Sequence, residues 1–472
     1  MEKKRNTVIF LTLAAGQEIR NILYGDFYSI LKARQDVTAV LFVPDENAKK
    51  YQEKFGNEHC IIESIPPDIG GDRWVKQMYR IACFGCVPTR TISSRIWFSY
   101  LNGGSLVNFL VKQGFWVLGH FTFWRWIMRN IEYYIFRDDA GWHLYFEKYQ
   151  PDAVFAAGLL TESDFLMVKY AHRHGIPSIG MMRSWDNFTS KGFLRVHPDV
   201  LLVQNDSMVE EAVRFNSYPR EHIRVVGFPQ WDHYVDPAWR MSKEEFGKMF
   251  GIDSSKRWIT YFGGGLMAGL FNIPETAEHV VMLVKAIGRG ELPNSQAVIR
   301  PHPSPYHVRA LREEAKQCPV LAFGKGWDFT DADLRLLMNL VRLSDVTLNM
   351  GSTVALEASI FDRPIVLIGF NGYTPDSRIR WSQRLSAALD NTVHYQELEA
   401  TGGMRRASNE KELIEVVRSY LENPSRDREG RARIVKKHVG PLDGKAGERI
   451  FRIVHAVASH SDLRKIPYHE IK

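Results

Sequence analysis

The apolar positions of this chain alternate between two spacings. Short continuous runs come first: Val8 to Leu13, then Val37 to Val43, closed by Pro44-Asp45. Between them Ile19, Ile22, Leu23, Phe27, Ile30 and Leu31 recur at helical spacing, which predicts a helix from Ile19 to Lys32. Fully apolar short strands separated by such helices imply a parallel sheet covered on both faces. The rhythm breaks near residue 64 and resumes at Ala153 to Ala156. It then predicts strands Ile179 to Met182, Val200 to Val203 and Arg224 to Val226. Helices are expected over Thr161 to His174, with Thr161 as N-cap, and over Ser207 to Phe215.

A second series of the same kind follows. Its strands are Trp258 to Phe262, Gln296 to Arg300, Val320 to Phe323, Val346 to Met350 and Pro364 to Ile368. Its helices are expected near 275–287, 306–317, 331–342 and 352–361. Residues 228–257, with Pro229 and Pro237, read as a connection. Within it Ser242 and Glu245 form a capping box for a short helix ending near Gly251. The chain is therefore expected to be α/β, with two Rossmann-like doubly wound domains facing a cleft. The expected boundaries are 1–227 for the first domain, with an insertion over about 64–150, the connection 228–257, a second domain over 258–440, and a helix and tail over 441–472. Ligands in such sheets sit beyond the carboxyl ends of the strands.

The insertion is expected to be helical and rich in aromatics. Phe115, Trp116, Phe121, Phe123, Trp124, Trp126, Ile131, Tyr133, Tyr134 and Phe136 would form its core, with Lys112, Arg125, Arg129 and Arg137 interleaved. Trp, Tyr and Arg suit a bilayer interface, so 111–137 is a candidate for peripheral membrane contact. The competing reading is a pair of helices packed on the first sheet, favoured by apolar residues lying nearly all round.

Composition narrows the class. The chain has 472 residues, 45% of them hydrophobic, enough for two cores. Its formal charge of +7 suits an anionic substrate or membrane surface. No Lys/Arg block or aromatic RNA-binding signature accompanies it, so no nucleic acid is expected. Four cysteines, Cys60, Cys83, Cys86 and Cys318, make no disulfide framework, and Cys83 with Cys86 reads as two packed thiols. A cytoplasmic location is expected, with the inner face of the cell membrane as a variant of it. No run of about 18 apolar residues predicts a membrane-spanning helix.

Candidate chemistry gathers at the ends of the C-terminal strands. Gly263-Gly264-Gly265 follows one strand, where bare backbone approaches a phosphate closely. Arg300-Pro301-His302-Pro303 ends the next, with Arg300 and His302 as phosphate partners. Gly351-Ser352-Thr353 ends a third and opens a helix, whose N–H groups and hydroxyls favour phosphate; Glu357, one turn on, faces a ribose. In the N-terminal half Ser184 to Gly192 is too polar for core. Asp186 there is a candidate general base, Lys191 a phosphate contact, and Trp185 and Asn187 acceptor-side residues. Glu18 is a second candidate base and Arg20 an acceptor contact, both just after the first strand. Asp331-Ala332-Asp333 matches a D-x-D metal motif, but at a helix start acidic residues serve the helix, and no metal is expected.

These residues resemble a known family. Arg300-Pro301-His302-Pro303, Ser344-Asp345, Gly351-Ser352-Thr353, Glu357-Ala358 and Pro364 look like the nucleotide-binding half of GT-B glycosyltransferases of bacterial surface-carbohydrate assembly. CDP-glycerol glycerophosphotransferases and transferases of CMP-activated acidic sugars are among them. The resemblance covers mainly 258–370. It implies that His302 meets the donor phosphate, Ser352 and Thr353 bind phosphates and Glu357 holds the ribose. It also implies transfer of a sugar or polyol phosphate to a glycan or lipid-linked acceptor, with the activated donor as substrate and neither a cofactor nor a metal required. Gly227-Phe228-Pro229 with Asp232 resembles the donor segment near the hinge of such enzymes. The N-terminal histidine and serine-rich tyrosine motif of glycerophosphotransferases are not evident. Similar motifs occur in UDP-N-acetylglucosamine 2-epimerases, so an isomerase is the first alternative, and a non-catalytic carbohydrate-binding module the second.

Overall fold

A computed structural model describes residues 5–67, 73–136, 141–264, 269–273, 276–302, 318–321 and 330–459. Its backbone is organised by two parallel sheets. The first contains β1 (Thr7–Thr12), β2 (Val37–Val43), β3 (Cys60–Ser64), β4 (Ala153–Ala156), β5 (Ser178–Met181), β6 (Val200–Val203) and β7 (Ile223–Val225) in the order β3-β2-β1-β4-β5-β6-β7. The second contains β8 (Arg257–Phe262), β9 (Ser295–Arg300), β10 (Val346–Asn349), β11 (Ile365–Ile368) and β12 (Arg405–Ala407) in the order β12-β11-β10-β8-β9. Every named pairing is parallel. The central strands are buried on both faces, which is why they read as unbroken apolar runs.

Each sheet belongs to its own compact unit. The first comprises 1–92, 110–235 and 440–472, the second 93–109 and 236–439. The stretch expected as a connection is thus divided, with Pro229–Tyr234 in the first unit and the capped helix Lys243–Phe250 in the second. The helix Ala446–Ala458 is part of the first unit. Its Ile450, Phe451, Val454 and Val457 join the core formed by β1, β2 and β4. Phe451 meets Phe27 edge-on with ring centres 5.8 Å apart.

Local signals placed most elements. Thr161 caps helix Glu162–Arg173, its Oγ1 accepting from Asp164 N at 3.3 Å while Asp164 Oδ2 accepts from Thr161 N at 3.0 Å. Ser242 and Glu245 close the same box on Lys243–Phe250, which ends at Gly251 with φ +69°. The single helix expected over Ile19 to Lys32 is two helices, Gly16–Leu23 and Asp26–Ala33. Gly25 between them is extended and serves as the N-cap of the second. The helix expected at 306–317 lies outside the described residues, as do 322–323 of the strand expected at Val320. Val320 itself forms one parallel bridge with Ile299.

Helices Arg73–Gly85, Arg90–Leu101, Leu106–Leu118, Thr122–Asn130 and Trp142–Tyr149 lie between β3 and β4 in the chain. The last packs on the first sheet through Trp142 on Phe42 and Phe146 on Phe10. Residues 93–109 group instead with the second unit, where Phe98 meets Phe271 and Trp381. The expected aromatic core of this segment does not form as predicted. Phe121, Phe123 and Trp126 are 60%, 63% and 58% exposed, whereas Arg125 and Arg129 are buried. Helix Thr122–Asn130 is amphipathic, and it is docked by its polar side.

Candidate functional site

In each sheet one strand marks the place where the crossover direction reverses. In the second sheet it is β8, with β9 on one side and β10 on the other. The crevice beyond the carboxyl ends at such a point is where doubly wound sheets take ligands. Phe262, near the end of β8, pairs with Arg300 and with Asn349, so the three strands stop in register. The segments Gly263-Gly264, Arg300-Pro301-His302 and Gly351-Ser352-Thr353 therefore leave one edge of one sheet. Gly265 and Pro303 lie outside the described residues.

Gly263 extends the ladder, its N–H donating to Arg300 O at 2.8 Å. Gly264 is where backbone must be bare: an added Cβ would lie 2.9 Å from the Cβ of Met350. Arg300 is 2% exposed, and Nη1 donates to Leu321 O at 2.7 Å. Burial pulls its pKa down, while Asp333 and Glu357 push it back up. Glu357 is itself buried, so this guanidinium has a carboxylate neighbour from the following helix. His302 is half-buried just beyond β9.

The turn after β10 differs in detail from the expectation of free helix N–H groups. The helix is short, Val354–Ile360, and Asn349 holds the turn before it. Asn349 Oδ1 accepts from Gly351 N at 3.0 Å and from Ser352 N at 3.2 Å, while Gly351 adopts φ +93°. Ser352 Oγ accepts from Val354 N at 3.2 Å. A hydroxyl that accepts one bond still has its proton to donate. Donors at this turn thus come from side chains more than from the backbone. Asn349, fully buried at the last position of β10, was missed by sequence reasoning, because a polar residue ending an apolar strand looks like its simple terminus.

In the first sheet the reversal lies between β1 and β4. Glu18 follows β1 and is fully buried. Its Oε2 accepts from Ala15 N at 3.1 Å, and its Oε1 accepts from Arg183 Nε at 2.9 Å. Burial first, then the nearby Asp164, raise its pKa to about 7, against the pull of Arg183. A Cβ on Gly158, just beyond β4, would come within 1.8 Å of Glu18 Oε1, so glycine makes the room this carboxylate occupies. Arg183 and Asp164 are further residues that spacing did not reveal. Arg20 is half-buried, with Nε donating to Asn21 Oδ1 at 3.1 Å and a further bond to Gln230.

The polarity of Ser184 to Gly192 argues against core, and here the structure corrects the reading. Trp185, Asp186, Asn187, Phe188, Thr189 and Ser190 are all buried, the last four as a short helix. Its polar groups satisfy one another. Asp186 Oδ2 accepts from Ser190 Oγ at 2.7 Å and lies 3.8 Å from Lys191 Nζ, and Asn187 Oδ1 accepts from Ser184 N at 2.8 Å. Asp232 likewise has a structural task, accepting from Ala446 N at 2.9 Å and Gly447 N at 2.7 Å at the start of the last described helix. Asp333 closes a capping box with Thr330. Cys83 and Cys86 are buried with their thiol pKa values pushed up by desolvation.

No family model and no curated protein sequence matches this chain. Solved structures do. The UDP-GlcNAc 2-epimerase of Neisseria meningitidis bound to UDP-GlcNAc is similar over 94% of this chain and 99% of its own, with TM-score 0.53 and 12% identity. MnaA of S. aureus in its UDP co-structure is similar over 96% and 97%, with TM-score 0.52 and 11% identity. The wall teichoic acid polymerase TagF soaked with CDPG is similar over 96% and 90%, with TM-score 0.51 and 11% identity. The chain has a GT-B type fold. At such identities the likeness speaks for architecture, two parallel α/β domains, and leaves the specific family open.

Proposed function

We propose that this GT-B chain is an enzyme acting on a nucleotide-activated sugar or polyol phosphate, and that it transfers this group to a hydroxyl of a glycan or lipid-linked acceptor. The observation that carries the reading is the shared carboxyl edge of β8, β9 and β10. It brings a bare glycine backbone, a buried arginine with a histidine beside it, and a Ser-Thr turn to one reversal point. Such a set suits a diphosphate. The neighbours solved with UDP, UDP-GlcNAc and CDPG support a nucleotide ligand.

In this reading Arg300 and His302 take up the charge that develops on the leaving phosphate, and the hydroxyls of Ser352 and Thr353 donate to its oxygens. Gly263, Gly264 and Gly351 keep the backbone clear, and Asn349 holds the turn in shape. Glu357 accepts from the ribose. Glu18 is preferred over Asp186 as the group that accepts the acceptor's proton, because its pKa is raised to about 7. Arg20, Trp185, Asn187 and Lys191 then support the first unit's side of the reaction, Trp185 and Asn187 from within its core.

A 2-epimerase is the second reading, favoured by the UDP-GlcNAc 2-epimerase neighbour. The two readings part on one experiment. The protein is incubated with UDP-GlcNAc alone and followed by proton NMR. Appearance of the 2-epimer without any acceptor rejects the transferase. Thermal-shift ranking of UDP, CDP, CMP and GDP tests the shared premise: no stabilisation by any of them at millimolar concentration removes both readings.

A further inference from the structure

The chain leaves the first unit after Ile92 and returns to it at Leu110, and residues 93–109 pack within the second. What they touch there is specific. Phe98 is buried, with its ring 4.8 Å from that of Phe271 and 4.6 Å from that of Trp381. Arg95 Nε donates to Leu270 O at 3.2 Å. Asn102 Nδ2 donates to Ser382 O at 3.0 Å, and Asn102 Oδ1 accepts from Ser382 Oγ at 2.9 Å. Trp97 and Leu101, on the same helix, are exposed.

The partners belong to two loops at the carboxyl edge of the second sheet. Residues 269–273 lie between β8 and helix Glu278–Gly288. The turn Trp381–Gln383 lies in the crossover from β11 and is tied back to that strand's end. Asn371, three residues past β11, donates through Nδ2 to Gln383 O at 2.9 Å and accepts through Oδ1 from Leu385 N at 2.7 Å. The two loops also hold each other. His279 Nε2 donates to Phe370 O at 2.9 Å, and Glu278 Oε2 accepts from Tyr373 N at 2.6 Å. Gly372, with φ +84°, makes room for that carboxylate, since a Cβ there would lie 2.0 Å from Glu278 Oε2. β10 lies between β8 and β11 in the sheet. Loops that leave those two strands and meet must therefore flank the end of β10, from which the Gly351-Ser352-Thr353 turn starts.

We propose that Phe98 and Asn102 are positioning residues for the nucleotide: they wedge and latch the loops after β8 and β11 in the shape that the phosphate turn requires. The proposal rests on the nucleotide reading and adds to it that the site depends on a segment lying before β4 in the chain. Packing alone does not explain the arrangement. The second sheet has helices of its own against it, Glu278–Gly288, Asp331–Leu343 and Glu410–Glu422. The chain nevertheless passes from one unit to the other and back, and brings in one aromatic ring and one carboxamide. The ring fills the space between two loops, and the reciprocal amide and hydroxyl bonds fix their register. A loop ordered beforehand need not be ordered by the ligand, and affinity gains by that amount. The linkage also runs backwards, so that a ligand requiring the latched loops stabilises the latch.

The test uses the full chain and whichever of UDP, CDP, CMP and GDP it binds most tightly by calorimetry. Asn102→Ala removes both bonds to Ser382 from a half-buried position. It should weaken binding about threefold to tenfold, as loss of about one net hydrogen bond implies. Its thermal midpoint without nucleotide should stay within about 2 °C of the wild type. Leu101→Ser, one position away but exposed and outside these contacts, should bind as the wild type does. Hydrogen exchange supplies a readout that a merely structural helix would not move: bound nucleotide should slow the amides of 94–102 together with those of 381–385. Exchange at 94–102 that ignores a bound nucleotide overturns the proposal and leaves the nucleotide reading standing. Equal affinity in Asn102→Ala and the wild type does the same, as do equal losses in Asn102→Ala and Leu101→Ser. A chain that binds none of the four nucleotides removes both.

Discussion

Glu18 is wholly buried, and its one cationic partner does not outweigh the loss of water around it. Its pKa in the folded chain is about 7 instead of the ordinary 4.5. A raised carboxyl pKa favours the folded state while the group is protonated. That contribution is complete below pH 4.5 and is lost as pH rises through 7, on the order of 3 kcal/mol in all. The variant Glu18→Gln keeps an acceptor for Arg183 and removes this titration. Its stability should therefore gain on the wild type between pH 5 and pH 8, read from urea midpoints. Parallel profiles would mean that Glu18 is not held near neutrality. If Glu18 is also the general base, the wild-type rate rises through an apparent pKa near 7, and that limb vanishes in the variant. Arg300 makes the complementary case. Arg300→Met keeps most of the buried apolar stem and removes the charge. Nucleotide affinity should fall about 10- to 100-fold, as loss of a charge-assisted hydrogen bond implies, and an unchanged dissociation constant by calorimetry would remove Arg300 from the site.

At the scale of elements, what the sequence revealed followed from burial. β4 and β6 are apolar from end to end, and β2 is broken only by Thr38, because both of their faces are covered, and their bounds were legible to the residue. β12, Arg405–Ala407, was not, because an edge strand with two half-buried arginines has no apolar run to read. Residues 184–190 defeated a different rule. Polarity argued against core, but Asp186, Ser190, Asn187 and Ser184 bond among themselves, and a set of paired polar groups can be buried at little cost. In the candidate site Arg300, His302 and the Gly-Ser-Thr turn were legible as residue types after strands. Asn349 and Arg183 were not, since their roles depend on partners distant in sequence or on turn geometry. The docking of Thr122–Asn130 by its arginines could not be read from its periodicity either, because an amphipathic pattern does not say which side is covered. Asp232 shows how one such distant partner acts. It accepts from the first two N–H groups of helix Ala446–Ala458, whose apolar side completes the first unit's core. Asp232→Ala should cost about 1 kcal/mol in urea unfolding, the usual value of a lost cap. Amide exchange should then rise first at 446–449, and uniform exchange along the helix would argue that Asp232 does not hold its start.

The molecule as a whole has two units, each with its own parallel sheet and its own reversal point, and the two points carry different chemistry. The second is cationic and hydroxyl-bearing, with Arg300, His302, Ser352 and Thr353. The first holds an acid of near-neutral pKa, with Glu18 beside Arg183. A ligand whose phosphates bind only at the second should therefore leave an uneven footprint. Linkage gives its size: at about one hundred times the dissociation constant, a ligand that binds only the folded state stabilises it by about 2.7 kcal/mol. Hydrogen exchange measured with and without saturating UDP or CDP reads where that stabilisation is spent. Protection is expected at 257–264, 296–302 and 346–360, where β8, β9 and β10 end, and not at Gly16 to Arg20 or Ser178 to Met181. Protection confined to the first unit would move the nucleotide to the sheet of Glu18. The donor assignments of Arg300, His302 and Ser352 would then fail together, because all three depend on one shared edge.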